Sequence, residues 1–127
     1  MGRAAFVGGA LGYSPPAMPD AMLDGGGAAG PLLGPHDPAP VEVFNASGRA
    51  PVLLLCDHAS RAVPRALDRL GLEDRALSRH IAWDIGAADM ARILAHRFDA
   101  PLVLAGYSRL VVDCNRDVDD PTFIVEV

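Results

Sequence analysis

Glycine and proline are spread so unevenly along this 127-residue chain that they decide where a fold can form. Residues 1–50 hold ten of the 13 glycines and seven of the 11 prolines, among them Pro15-Pro16, Gly25-Gly26-Gly27 and the run from Pro31 to Pro40. No period of 2 or 3.6 residues runs through that stretch, so it has no face to bury and little to offset its ordering entropy. The reading is a flexible leader over residues 1–40 and a folded part over 41–127. A secretory signal is the other reading of the start, because Arg3 precedes the apolar Ala4–Leu11, but that run is short and broken by Gly8 and Gly9. No apolar stretch approaches the ~20 residues that span a bilayer. Asn45-Ala46-Ser47 fits the glycosylation pattern, a chance match in a chain without a convincing export signal.

Half of the residues are apolar, enough for a core, and the net charge is −5. An acidic balance argues against general binding to nucleic acid or anionic membranes, which needs a basic face. All 11 basic residues are arginine. The absence of lysine removes Schiff-base, pyridoxal-phosphate and P-loop chemistry, and leaves planar guanidinium groups suited to gripping carboxylates. Cys56 and Cys114 are too few for a disulfide scaffold and each ends an apolar run, so both are expected as free, small core side chains in a reducing, cytoplasmic setting.

Beyond residue 50 the order of elements is legible. Pro51–Cys56 is a continuous apolar run, the form of a buried strand. Pro64–Leu70 predicts a short helix stopped by Gly71, and Glu73–Ile81 a second. Ala87, Met90, Ala91, Leu94 and Phe98 recur at helical spacing and predict a third. Pro101 restarts the chain into an extended Leu102–Ala105, and Leu110-Val111-Val112 predicts another strand. This is an α/β pattern. Both strand ends deposit polar residues, Asp57-His58 after one and Asp113, Asn115 and Arg116 after the other, and ligands bind at the carboxyl ends of strands in open α/β sheets.

Three segments carry candidate chemistry. His58 directly follows Asp57 at the end of an apolar run read as a buried strand, where a neutral imidazole can ligate a metal with the adjacent carboxylate orienting it, or simply hydrogen-bond within a loop. Asp84 is a second metal ligand, a carboxylate orienting His58, or a cap for the third helix. His80 lies four residues before it and is read as structural; His96 is read as solvated and His36 as part of the leader. Arg109 and Asn115-Arg116 flank an apolar core, and guanidinium forks beside an amide match a carboxylate, with Asp113 holding Arg116 from behind. Ser108 has no histidine near it in sequence to make it a nucleophile.

Taken together, Cys56-Asp57-His58-Ala59-Ser60, Leu70-Gly71-Leu72, His80–Gly86 and Tyr107–Arg116 resemble the N-formylglutamate amidohydrolase family, from about Val41 to Val127. That family is similar to the zinc exopeptidases and aspartoacylases, so the resemblance implies a three-layer mixed sheet flanked by helices, with only the N-terminal half present. It implies hydrolysis of N-formyl-L-glutamate, or a similar N-acyl amino acid, to formate and glutamate by metal-activated water, as in histidine breakdown. Zinc would be held by His58 and Asp84. Asn115 and Arg116, with Ser108, would bind the substrate, and Arg109 would act as the catalytic arginine on a second carboxylate or the oxyanion. Arg61 stands where the family often has asparagine, and the zinc-peptidase glutamate is absent there.

Family members run to about twice this length, so the resemblance also implies missing ligands and an inactive fragment. Two other classes stay open: a non-catalytic remnant, and a metal-free carboxylate-binding module built on Arg109, Asn115 and Arg116. An extended apolar terminus over Phe123–Val127 would expose a sheet edge and invite self-association.

Overall fold

The computed structural model describes residues 31–124, so the signal-like start, most of the leader and Val125–Val127 lie outside the described residues. Three strands form one mixed sheet in the order β1-β3-β2: β1 (Val41–Phe44), β2 (Leu54–Cys56) and β3 (Leu102–Ala105). β1 runs antiparallel to β3, with Val41 opposite Ala105 and Phe44 opposite Leu102. β2 runs parallel to β3, with Leu54 opposite Leu102 and Cys56 opposite Leu104. A parallel pair needs a long crossover. Here it contains a 3₁₀ segment (Arg65–Gly71), the single-turn α1 (Asp74–Leu77) and the three-turn α2 (Ala87–Phe98).

The core lies between α2 and one face of the sheet. Ala88 and Ala95 sit on Cys56, Leu102 and Leu104, with Phe44, Leu54, Ala87 and Ala91 around them. Small residues let the helix axis approach the sheet closely. Burying Leu102 and Leu104 stabilises by about 2–3 kcal/mol each. Of the periodic residues on α2, Ala87 and Ala91 pack against the core while Met90, Leu94 and Phe98 are exposed, so the alanines carry the contact.

The opposite face of the sheet is apolar and bare among the described residues. Strand alternation puts Val41 and Val43 of β1, Val103 and Ala105 of β3, and Leu55 of β2 on that side. Val43 is 56% exposed and Leu55 65%, so the described residues form two layers where three were expected. No helix among them is long and apolar enough to cross a membrane.

Local predictions fared unequally. The strand at Leu102–Ala105 matches, while β2 occupies only the last three residues of the apolar run and β1 had no counterpart in the periodicity. The helix expected at Pro64–Leu70 is two turns across a kink, because Asp68, Arg69 and Leu70 adopt left-handed backbone angles. The second helix is a single turn rather than Glu73–Ile81. Leu110-Val111-Val112 is not a strand. The Ser108 hydroxyl accepts from the Leu110 amide at 3.2 Å and the Ser108 carbonyl from the Val111 amide at 2.9 Å, which folds these residues into a turn. Of the two thiols, both free, Cys56 is buried but Cys114 is exposed.

Residues 31–40, which composition assigns to the leader, are tied down at several points. The Asp37 carboxylate accepts from the Gly34 and Arg65 amides, the Gly106 amide donates to the Pro40 carbonyl at 2.8 Å, and the Tyr107 hydroxyl donates to the Pro38 carbonyl. A side-chain carbon on Gly106 would stand 2.1 Å from the Ala39 carbonyl oxygen, so only glycine permits this approach. Asn45 is also occupied: its amide donates to the Asp99 carboxylate and the Ala100 carbonyl, fastening the turn after β1 to the end of α2.

Candidate functional site

Three chain segments far apart in sequence are laced together beyond the carboxyl ends of β2 and β3. The His58 carbonyl accepts from the Asp84 amide at 3.0 Å. Two residues earlier, the Ala82 carbonyl accepts from both the Arg109 amide and the buried Ser108 hydroxyl, at 3.2 and 2.7 Å. The Ser108 amide in turn donates to the Ala62 carbonyl. Ser108 thus has no exposed surface, and its hydroxyl is spent on fixing the backbone beneath the site.

Asp113 is the hub. Its side chain is almost wholly buried, yet its carboxylate accepts from His58 Nε2 at 2.7 Å, from Arg109 Nη2 at 2.8 Å and from the Asn115 amide at 3.1 Å. Burial pushes this carboxyl up, but the hydrogen bonds from His58 and the Asn115 amide, with the charge of Arg109, outweigh it and hold the group below its usual range. Arg116 is held more loosely, with Nε 3.8 Å from Asp113, which leaves most of its fork free.

The carboxylates that flank His58 are Asp113 and Asp84, 55 and 26 residues away, and not the adjacent Asp57. An ionised carboxylate can only accept, so Nε2 carries the proton toward Asp113, and the neutral ring then keeps its lone pair on Nδ1. That nitrogen faces Asp84 Oδ2 at 3.4 Å. Two acceptors facing one another call for a cation between them, a proton or a metal. Two zinc bonds of about 2.0–2.1 Å at a tetrahedral angle would hold their donors about 3.4 Å apart. Asp84 is not the helix cap: Gly86 holds that position with φ 83°, and no side chain caps α2 there.

The 3.4 Å separation of His58 and Asp84 is that of a long hydrogen bond and equally of two donors on one metal, whereas a zinc site takes at least three protein ligands. Among the described residues, no group of three or more His, Cys, Asp or Glu side chains could hold a metal ion. Arg109 Nη1 lies 3.9 Å from Asp84, so one guanidinium bridges both carboxylates.

Beside this hub lies a cavity of about 300 Å³ lined by His80, Ile81, Arg109, Leu110, Asp113, Arg116 and Thr122. The grouping of Arg109 with Arg116 was legible in the sequence, but the binding of Asp113 to His58 was not, since nothing local joins residues 55 apart.

A model of the N-formylglutamate amidohydrolase family matches residues 50–126. The chain belongs to that family. The crystal structure of a gene product from Agrobacterium tumefaciens is similar to it over 74% of this chain, at 41% identity and a TM-score of 0.71. The chain spans 37% of that protein's length. No curated protein matches it. Family membership and the mixed sheet agree with the resemblance read from the motifs.

Proposed function

We propose that this chain carries the carboxylate-gripping and metal-facing part of an amide hydrolase of the N-formylglutamate amidohydrolase type. The observation that carries this reading is the geometry around His58, held by Asp113 through Nε2 while Nδ1 faces Asp84 beside a pocket with two arginines.

His58 and Asp84 would hold a divalent metal, with zinc the expected ion and the remaining ligands outside the described residues. The chemistry such an ion supplies is polarisation of an amide carbonyl and acidification of water. Asp113 fixes the tautomer and aim of His58, as carboxylates do behind metal-ligating histidines. Asn115 and Arg116 bind the carboxylate of an N-acyl amino acid such as N-formyl-L-glutamate. Arg109, anchored on Asp113 and Asp84, directs its remaining donors toward the acyl oxygen; losing one such donor typically costs about 3 kcal/mol of barrier. Ser108 supports this arrangement through the backbone.

Two donors, the number found among the described residues, do not complete a site, so the 127-residue chain alone should turn over N-formyl-L-glutamate poorly. Cobalt titration followed by visible absorption tests the reading without relying on turnover: weak binding abolished by His58→Gln and by Asp84→Asn is expected. Cobalt binding unaffected by either change would overturn the metal assignment, and robust hydrolysis by the chain with added zinc would overturn its incompleteness. A metal-free carboxylate-binding module is the second reading, favoured by the free fork of Arg116; it predicts ligand binding that zinc leaves unchanged.

A further inference from the structure

The cavity beside Asp113 holds a residue that the reading above leaves unused. His80 forms part of its wall, opposite no acid that claims it: among the hydrogen bonds and ion pairs of the described side chains, the carboxylate of Asp113 goes to His58, Arg109 and Arg116, that of Asp84 to His58 and Arg109, and that of Asp74 to Arg69. Its position is fixed by the backbone. The Ala82 amide donates to the Arg79 carbonyl at 3.1 Å, so the chain turns tightly around His80 and Ile81. The Ala82 carbonyl is then clamped by Ser108 and Arg109. His80, an exposed residue two positions before a carbonyl that accepts twice, thereby lines the same cavity as Arg109 and Arg116.

The charges around the cavity are unequal in availability. Arg109 is committed to Asp113 at 2.8 Å and lies 3.9 Å from Asp84, whereas Arg116 keeps only a 3.8 Å approach to Asp113. Arg116 is therefore the free fork for one carboxylate. Ile81 and Leu110 supply apolar lining, which fits the methylenes of a short acid, and His80 supplies a ring N–H on the same cavity. A ligand with one carboxylate would leave that donor in water; a ligand with two would engage it. We infer that His80 is a specificity-determining residue that receives the second carboxylate of a short dicarboxylic N-acyl amino acid, the first resting on Arg116. This rests on the proposed carboxylate grip and names what selects between acids that share it.

The test is binding, measured by calorimetry on the full 127-residue chain, with N-formyl-L-glutamate and with N-formyl-L-norvaline, whose side chain ends in a methyl group. His80→Ala should weaken the glutamate derivative about tenfold, equivalent to about 1.4 kcal/mol, and leave the norvaline derivative within twofold. His80→Gln, which retains an N–H donor, should recover most of the loss. On titration with N-formyl-L-glutamate, the His80 ring carbon–proton signal should shift, and it should move far less with the norvaline derivative. Arg116→Gln separates the two claims, since it should weaken both ligands. If Arg116→Gln acts as expected but His80→Ala leaves the glutamate derivative unchanged, the His80 inference falls and the grip stands. Equal weakening of both ligands by His80→Ala would assign His80 to the shape of the cavity and overturn the inference. No binding of either ligand to the parent chain would remove the grip and the inference together.

Discussion

Replacing Asp113 by asparagine keeps the shape of the side chain and removes the charge on which three segments converge. The side chain is 5% exposed and receives N–H groups from His58 at 2.7 Å, Arg109 at 2.8 Å and the Asn115 amide at 3.1 Å. Hydrogen bonds to a charged group contribute about 1.5–3 kcal/mol each, and asparagine retains one acceptor oxygen of the two. Arg109 is 29% exposed, so its share is reduced by solvent. The expected loss is about 2–3 kcal/mol, a large part of the ~5–15 kcal/mol that holds a small domain. Urea unfolding at pH 7 should show a lowered midpoint at unchanged slope. A double-mutant cycle with Arg109→Gln should give a coupling of about 1–2 kcal/mol.

Acid supplies an independent check. The folded carboxyl of Asp113 lies below its unfolded value of about 3.9. Folding therefore favours the ionised form, and that stabilisation is complete above about pH 4 and is lost as pH falls through the folded value. The stability difference between parent and Asp113→Asn should shrink on acidification below pH 4. A variant within about 0.5 kcal/mol of the parent at pH 7, with no coupling to Arg109, would refute the view of Asp113 as the hub.

Three further changes probe the frame around the site. Ser108→Ala should cost about 1–3 kcal/mol, because it leaves the buried Ala82 carbonyl without its 2.7 Å hydroxyl donor; unchanged stability with lost ligand binding would instead place Ser108 against the ligand. Gly106→Ala should detach residues 31–40, seen as faster proteolysis within that segment while the far-ultraviolet circular dichroism of the rest is kept, since the new carbon meets the Ala39 carbonyl. Leu55 is 65% exposed on the bare sheet face, so the parent is expected to self-associate in sedimentation and Leu55→Glu to stay monomeric with stability within about 0.5 kcal/mol of the parent. A monomeric parent, or a folded variant that associates as strongly as the parent, would refute association through this face.

Much of the fold and site was written locally. Pro101 and the apolar run after it marked β3, the spacing from Ala87 to Phe98 marked α2, and the polar residues following Cys56 marked the carboxyl end of β2, beside which the candidate site lies. The apolar pattern on α2 did not say which side faces the sheet. Periodicity marks apolar residues without weighing their size, and the close approach to Leu102 and Leu104 selected Ala88 and Ala95 over Met90 and Phe98. β1 escaped because an antiparallel edge strand of four residues, VEVF, carries too few positions to establish a period. Leu110-Val111-Val112 looked extended by composition, and only the hydroxyl of Ser108, buried against Ala82, folds it into a turn.

By itself the sequence determined the α/β class, the family and the residue types available for chemistry: arginine without lysine, one histidine after an apolar strand, and an Asp-Cys-Asn-Arg run. These depend on local spacing and on what side chains can do. The tertiary structure alone decided which acid serves which base. Asp113 reaches across 55 residues to His58, Asp84 is freed from capping by the left-handed Gly86, and the lacing at Ala82 sets His80 on the arginine cavity. Such pairings are not encoded in neighbouring residues, because they arise where the crossover between two parallel strands brings their carboxyl ends together.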